Sequence, residues 1–133
     1  MTMSPAASTL LAVEPQLFVS DLPRALAFYV ERLGFVQVFV HGDPPFYAQI
    51  RRDGVAINLR HVDRPVIDRS AEPDLLSATF TVDNARRLFE DFAAKGAAFR
   101  QPLAREAWHA ETEATFIVED PDGNLLAFAG RTD

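Results

Sequence analysis

The residues able to do chemistry in this chain are few and scattered. Histidine occurs three times, at His41, His61 and His109, and no pair has the H-x-H or H-x-x-x-H spacing that brings two imidazoles to one metal. Cysteine is absent, which removes thiolate metal sites, disulfides and a cysteine nucleophile. Lys95 is the only lysine and follows a helical pattern, where it reads as a C-terminal helix charge rather than a Schiff-base amine. There is no G-x-G-x-x-G, no phosphate-loop lysine and no suggestion of a Ser-His-Asp set. The turn Asp120-Pro121-Asp122-Gly123 carries two carboxylates but lacks the further ligands and bidentate glutamate of a calcium loop. What remains is a set of isolated polar residues, Glu14 and Arg60 among them, whose use depends on which surface gathers them.

The elements that must do the gathering form a repeat. "PQLFVS" alternates as a strand, and Asp21 is placed to cap a helix with Pro23 in its first turn. Leu22, Ala25, Leu26, Tyr29, Val30 and Leu33 share one helical face, and Gly34 is placed to stop the helix. Three strands follow, "FVQVFVH", "FYAQIRR" and "VAINLRH", the last two joined by an Asp53-Gly54 hairpin signal. From Leu75 the order recurs. "LLSATFTV" is a strand, and Asp83 is placed to cap a helix with Leu88, Phe89, Phe92 and Ala93 inward. Gly96 ends that helix, and "AAFRQPL", "EATFIVE" and "NLLAFA" follow. Pro102 marks an edge strand or a strand end. A shift of 62 superposes Phe18 on Phe80, Asp21 on Asp83 and Gly34 on Gly96. A shift of 63 superposes Val19 on Val82 and Tyr29 on Phe92, so the true alignment contains a one-residue slip. The expected layout is a loose tail over 1–12, a βαβββ module over 13–61, a polar linker over 62–74 and a second βαβββ module over 75–130.

Bulk properties narrow the partners. The chain has 133 residues, enough for a sizeable core, and a formal net charge of −6, which disfavours nucleic acid and anionic membrane surfaces. No apolar run is long enough to span a bilayer, and the lack of cysteine suits a reducing cytoplasm.

The stretches "FVSDLPRALAFYVERLGF", "FTVDNARRLFEDFAAKGA" and "VEDPDGNLLAF" resemble the vicinal-oxygen-chelate superfamily, which holds glyoxalase I, extradiol dioxygenases, and fosfomycin- and bleomycin-resistance proteins. The resemblance covers nearly everything after Val13. It implies an α+β fold in which two βαβββ modules form an open, curved cup with the helices outside, and it implies a homodimer. The family's metalloenzymes hold one divalent cation in the cup through His, Glu or Gln on four strands. Carried over residue by residue, those positions are Glu14, Asn58, Ser77 and Ala127. Only Glu14 is a good ligand. Asn58 offers a weak carbonyl, Ser77 is poor and Ala127 offers nothing.

Strand parity then gives the cup lining. Glu14, Gln16 and Phe18 share a face, as do Ala56, Asn58 and Arg60, then Ser77, Thr79 and Thr81, then Leu125, Ala127 and Ala129. Phe39, Phe46, Tyr47 and the sole tryptophan, Trp108, with His109 beside it, stand around this lining. Glu14 and Arg60 are candidates to pair with each other. His61, by alternation, faces away from Asn58. The expectation is a cytoplasmic protein without metal or cofactor that binds a small organic molecule between two subunits, as bleomycin-resistance proteins do. The alternative is a metal-dependent lyase, isomerase or dioxygenase with a non-standard site.

Overall fold

Asp21 caps the first helix, α1 (Leu22–Ala27), by accepting a 3.0 Å hydrogen bond from the Arg24 amide. In the computed structural model, which describes residues 7–105 and 113–133, this helix continues into a π-helical turn over Phe28–Arg32, ended by Gly34 at φ 73°. The second helix, α2 (Ala85–Ala94), is capped by Asn84, whose side chain accepts at 2.9 Å from the Arg87 amide. The cap is therefore Asn84 and not Asp83. The difference resolves the repeat. Strands and caps obey a shift of 63, with Asp21 on Asn84 and the fully buried Tyr29 on Phe92, while Gly34 and Gly96 obey 62. The first helix thus carries one extra residue between Tyr29 and Gly34. A π turn is the means by which a helix absorbs one residue, and the π turn lies there. Val30, a member of the expected apolar face, is exposed. In α2 Ala93 is likewise exposed, and Ala85 is buried instead.

The strands are β1 (Gln16–Val19), β2 (Val36–Gly42), β3 (Pro45–Arg52), β4 (Val55–His61), β5 (Leu76–Val82), β6 (Phe99–Ala104), β7 (Glu113–Glu119) and β8 (Leu125–Arg131). The described residues form two four-stranded mixed sheets, ordered β1-β4-β3-β2 and β5-β8-β7-β6, neither closed on itself. In each the first strand runs parallel to the last, and the other pairs are antiparallel. Pro102 lies on β6, an edge strand with irregular register, where its missing N–H costs no ladder bond.

Alternation decides which face of each sheet meets its helix. In the first sheet Leu17, Val19, Ala48, Ile50, Ile57 and Leu59 are buried against α1. In the second, Phe80, Phe92, Phe116 and Phe128 form a ring cluster, with Phe116 stacked on Phe128 at 5.2 Å and Phe92 edge-on to Phe128 at 5.3 Å. Such offset and edge-on pairs add to the area term of aromatic burial. One apolar cluster joins both sets, so the two modules share a core.

Candidate functional site

The face of the first sheet turned away from α1 carries two rows of side chains, set by the strand register. Gln16, Asn58, Gln49 and Phe39 align across the four strands, and Phe18, Arg60, Tyr47 and His41 form the next row. Side chains directly opposite one another in a ladder are near enough to interact. Here they do. Gln49 Nε2 donates to Asn58 Oδ1 at 2.9 Å and to Glu14 Oε1 at 3.3 Å, and Asn58 Nδ2 donates to the same Glu14 oxygen at 3.3 Å. Tyr47 Oη donates to Gln16 Oε1 at 3.1 Å. The Phe39 ring lies 4.7 Å from His41 and 6.0 Å from Tyr47. Arg60 has no hydrogen-bonding or ionic partner among the described residues, so the expected Glu14–Arg60 pair does not form. One oxygen of the Glu14 carboxylate, Oε1, accepts from two amide donors, and the guanidinium is left presented.

The matching face of the second sheet is built differently. Thr79, Ala127, Ile117 and Gln101 form one row, and Thr81, Ala129, Thr115 and Ala104 the next. Ala127 is 2% exposed, so it contributes a methyl to a filled surface rather than an open wall. Ser77 donates weakly to Asn124 Oδ1 at 3.3 Å. Ser77 and Thr79 line a cavity of about 480 Å³ with Val13 and Pro15, the neighbours of Glu14. The structure therefore joins Glu14, Gln16, Phe39, Tyr47, Asn58 and, in the next row, Phe18 and Arg60. Ser77 and Thr79 border this group at the seam between sheets, while Ala127 sits beneath its own sheet's surface. Trp108 and His109 lie outside the described residues. Gln49 and His41, which the sequence pattern did not single out, belong to the same two rows. Gln49 was findable, because Ala48 and Ile50 alternate with it. His61 is turned toward Asp63 Oδ1 at 3.8 Å, away from Asn58.

A divalent cation does not fit the four inherited positions. Glu14 is the one anionic donor among them and its Oε1 accepts from Gln49 and Asn58, the Asn58 carbonyl accepts from Gln49, and Ser77 and Ala127 add no anionic donor. Among the described residues no group of three His, Cys, Asp or Glu side chains is gathered. A hard or borderline cation needs several such donors at once.

The second hairpin closes the module boundary. Asp120 is buried and accepts four hydrogen bonds: from the Asp122 and Asn124 amides at 2.9 and 2.8 Å, from Asn124 Nδ2 at 2.9 Å and from Tyr29 Oη at 2.8 Å. Burial lifts its carboxyl above the ordinary value, and the donors from Asn124, Tyr29 and Asp122 partly offset this. Burial, followed by the Asp120 charge, pushes the Tyr29 phenol well up as well. Ser20 donates to Asp122 Oδ1 from its amide at 3.0 Å and from its hydroxyl at 2.5 Å, and Asn124 Nδ2 donates to Phe18 O at 3.0 Å. Arg69 donates to Gly123 O from the connecting segment.

Paired βαβββ modules, two open sheets and one exposed polar face opposite the helices define the class. The profile of the Glyoxalase/Bleomycin resistance protein/Dioxygenase superfamily matches residues 10–128, and the chain belongs to that family. No curated protein matches it. Solved structures show the same fold at low identity. A glyoxalase/bleomycin resistance protein/dioxygenase from Alicyclobacillus acidocaldarius is 23% identical, with 91% of each chain covered and a TM-score of 0.75. The bleomycin-binding protein of Streptomyces verticillus, solved with copper(II)-bleomycin, is 20% identical, with 93% of this chain and 98% of that chain covered and a TM-score of 0.72. A bleomycin resistance determinant encoded on transposon Tn5 is 19% identical, with 92% and 98% covered and a TM-score of 0.69. No helix of the described residues is long and apolar enough to cross a membrane.

Proposed function

We propose that the protein binds a small organic molecule on the polar face of its first sheet without a metal or other cofactor. The observation that carries this is the state of Glu14. The one carboxylate among the four positions that the resemblance gives accepts from Gln49 and Asn58 through Oε1, and the Arg60 guanidinium on that face has no partner among the described residues. A few fixed polar groups beside aromatic walls are what orient a small ligand. Amides, the Arg60 guanidinium and the rings of Phe18, Phe39 and Tyr47 supply both kinds of contact. We further propose a homodimer in the cytoplasm. Leu10, Leu11 and Val13 are 98%, 92% and 87% exposed, an apolar segment that a second subunit would cover. The lack of cysteine suits the compartment.

The test is a thermal-shift screen of small organic molecules with metal analysis of protein purified without chelator. A ligand that binds the native state raises the melting temperature by mass action. The expected result is at least one saturable hit, weakened in Arg60→Ala, with less than stoichiometric metal. Tightly held stoichiometric metal overturns the reading in favour of a metal-dependent lyase, isomerase or dioxygenase. A hit unaffected by Arg60→Ala overturns the placement on this face. Light scattering at micromolar concentration tests the dimer, and a monomer there refutes it.

A further inference from the structure

Two side-chain donors near the middle of the polar face have no partner among the described residues. One is the Arg60 guanidinium. The other is Gln16 Nε2. The Gln16 carbonyl accepts from Tyr47 Oη at 3.1 Å, which leaves the amide nitrogen turned away from that hydroxyl. The other side-chain amides of these rows are occupied, because Gln49 Nε2 and Asn58 Nδ2 both donate to Glu14 Oε1.

The strand register places the two donors beside each other. Gln16 and Phe18 stand opposite Asn58 and Arg60 on the parallel pair β1 and β4. Gln16 and Arg60 are therefore diagonal neighbours, about 8 Å apart at Cα from the strand spacing and rise, and both side chains are long enough to meet one head group between them. Tyr47 stands opposite Arg60 on β3, and its hydroxyl reaches Gln16 on β1, so its side chain crosses β4. Arg60 thus lies between two rings, Phe18 and Tyr47. Both, with Phe39, are partly exposed, so they offer surface instead of filling the core. Beyond Tyr47 the rings continue, with Phe39 4.7 Å from His41 and 6.0 Å from Tyr47. The face is graded: donors stand toward β1 and β4, rings toward β3 and β2, and β4 and β2 are two strand spacings, about 10 Å, apart.

The charges of the face set the sign of the head group. Glu14 precedes Gln16 and Arg60 follows Asn58, so carboxylate and guanidinium flank the Asn58 row from opposite sides and form no ion pair. Arg51, which shares this face by strand parity, stands four residues along β3 from Tyr47, about 13 Å away. One cation and one neutral amide within reach of each other balance a single negative charge and leave a dianionic phosphate half neutralised. A guanidinium also presents paired N–H groups that match the two oxygens of a carboxylate. We infer, resting on the reading of this face as the ligand site, that its ligand is a planar aromatic monocarboxylate about two rings long. The carboxylate accepts from Arg60 and from Gln16 Nε2, and the rings lie over Tyr47, Phe39 and His41.

The experiment titrates the full chain with 2-naphthoate, 2-naphthylmethylamine, 2-naphthamide and sodium phosphate, read by calorimetry and by amide NMR shifts. 2-Naphthoate should bind saturably, shift the amides of Gln16, Tyr47, Asn58 and Arg60, and bind about tenfold tighter than the amine or the amide, the value of one charge-assisted contact. Phosphate, which has charge without rings, should not bind in the same range. Arg60→Glu should reverse the order of acid and amine, and Gln16→Leu should weaken the acid by about fivefold. Both residues are exposed, and melting curves confirm that the variants fold. Amine or amide binding here as tightly as the acid, phosphate matching it, or an order unchanged in Arg60→Glu each overturns the monocarboxylate while leaving the face a ligand site. 2-Naphthoate shifts confined to other amides, or no binding at millimolar acid, overturn it too. If none of the three naphthyl compounds shifts this face, the reading of the face as the ligand site falls with it.

Discussion

The two modules share a chain path and differ in what they place on it. At corresponding sheet positions the first has Gln16 beside Asn58 and Gln49, and the second has Thr79 beside Ala127 and Ile117. At corresponding hairpins the second module has a turn welded to its neighbour by Asp120, Asp122 and Asn124. The first has Asp53, 89% exposed at its side chain, whose only ionic partner among the described residues is Arg52. Duplication sets the geometry of such a fold. Here the first sheet carries the rows of exposed polar groups, and the second hairpin carries the buried hydrogen bonds.

Breaking the welded hairpin should have the largest effect. Asp120→Ala removes an acceptor of four hydrogen bonds and strands the buried Tyr29 hydroxyl, so unfolding free energy should fall by about 3 kcal/mol. The corresponding exposed change, Asp53→Ala, should stay within about 0.5 kcal/mol. Comparable losses in denaturant melts would erase the contrast between the hairpins. Next comes the contrast between the sheets. Ala127→Leu overfills a buried site and should cost about 1–3 kcal/mol. Asn58→Leu, at the matching half-buried position on the open face, should cost less than about 1 kcal/mol. Tyr29→Phe isolates a single bond of the weld and should cost about 1 kcal/mol.

The smallest effect is on pH dependence. Burial holds the Asp120 carboxyl above its ordinary value, so the native state binds this proton more readily than the unfolded chain does. The burial penalty is complete above the raised native value. It is relieved as pH falls through that value toward the ordinary one. The stability of wild type relative to Asp120→Asn, which does not titrate, should therefore grow as pH is lowered from 7 toward about 4. A difference that is flat or shrinks on acidification contradicts the assignment. The exposed Asp68 and Asp133, both held low by hydrogen-bonding neighbours, act oppositely in both proteins and cancel in the comparison.

Much of this was legible in the chain. "VAINLRH" and "EATFIVE" coincide with β4 and β7, because Ile57 and Leu59, or Phe116 and Val118, stand two residues apart and so share the face turned to the core. The one-residue slip was also legible, but not its location. A π turn has no signature in residue type, since it is set by which carbonyl the next amide reaches. Capping by Asn84 rather than Asp83 was hidden for a related reason. Both residues can cap, and the choice between them is made where β5 ends and α2 docks. Gln49 could have been read from parity. The partners of Glu14 could not, because they come from β3 and β4, 35 and 44 residues away.

By itself, then, the sequence determined the repeat and the strand faces, and it set Glu, Asn, Ser and Ala at the four positions that the resemblance points to, all of which are local patterns or simple residue identities. Only the tertiary structure decided that Glu14 Oε1 accepts from two amides while Arg60 has no partner among the described residues, and that one hairpin seals the module boundary while the other leaves a cleft. Those outcomes depend on donors and acceptors meeting across long separations in the chain. A hydrogen bond is settled by distances of tenths of an ångström that no spacing in the sequence encodes.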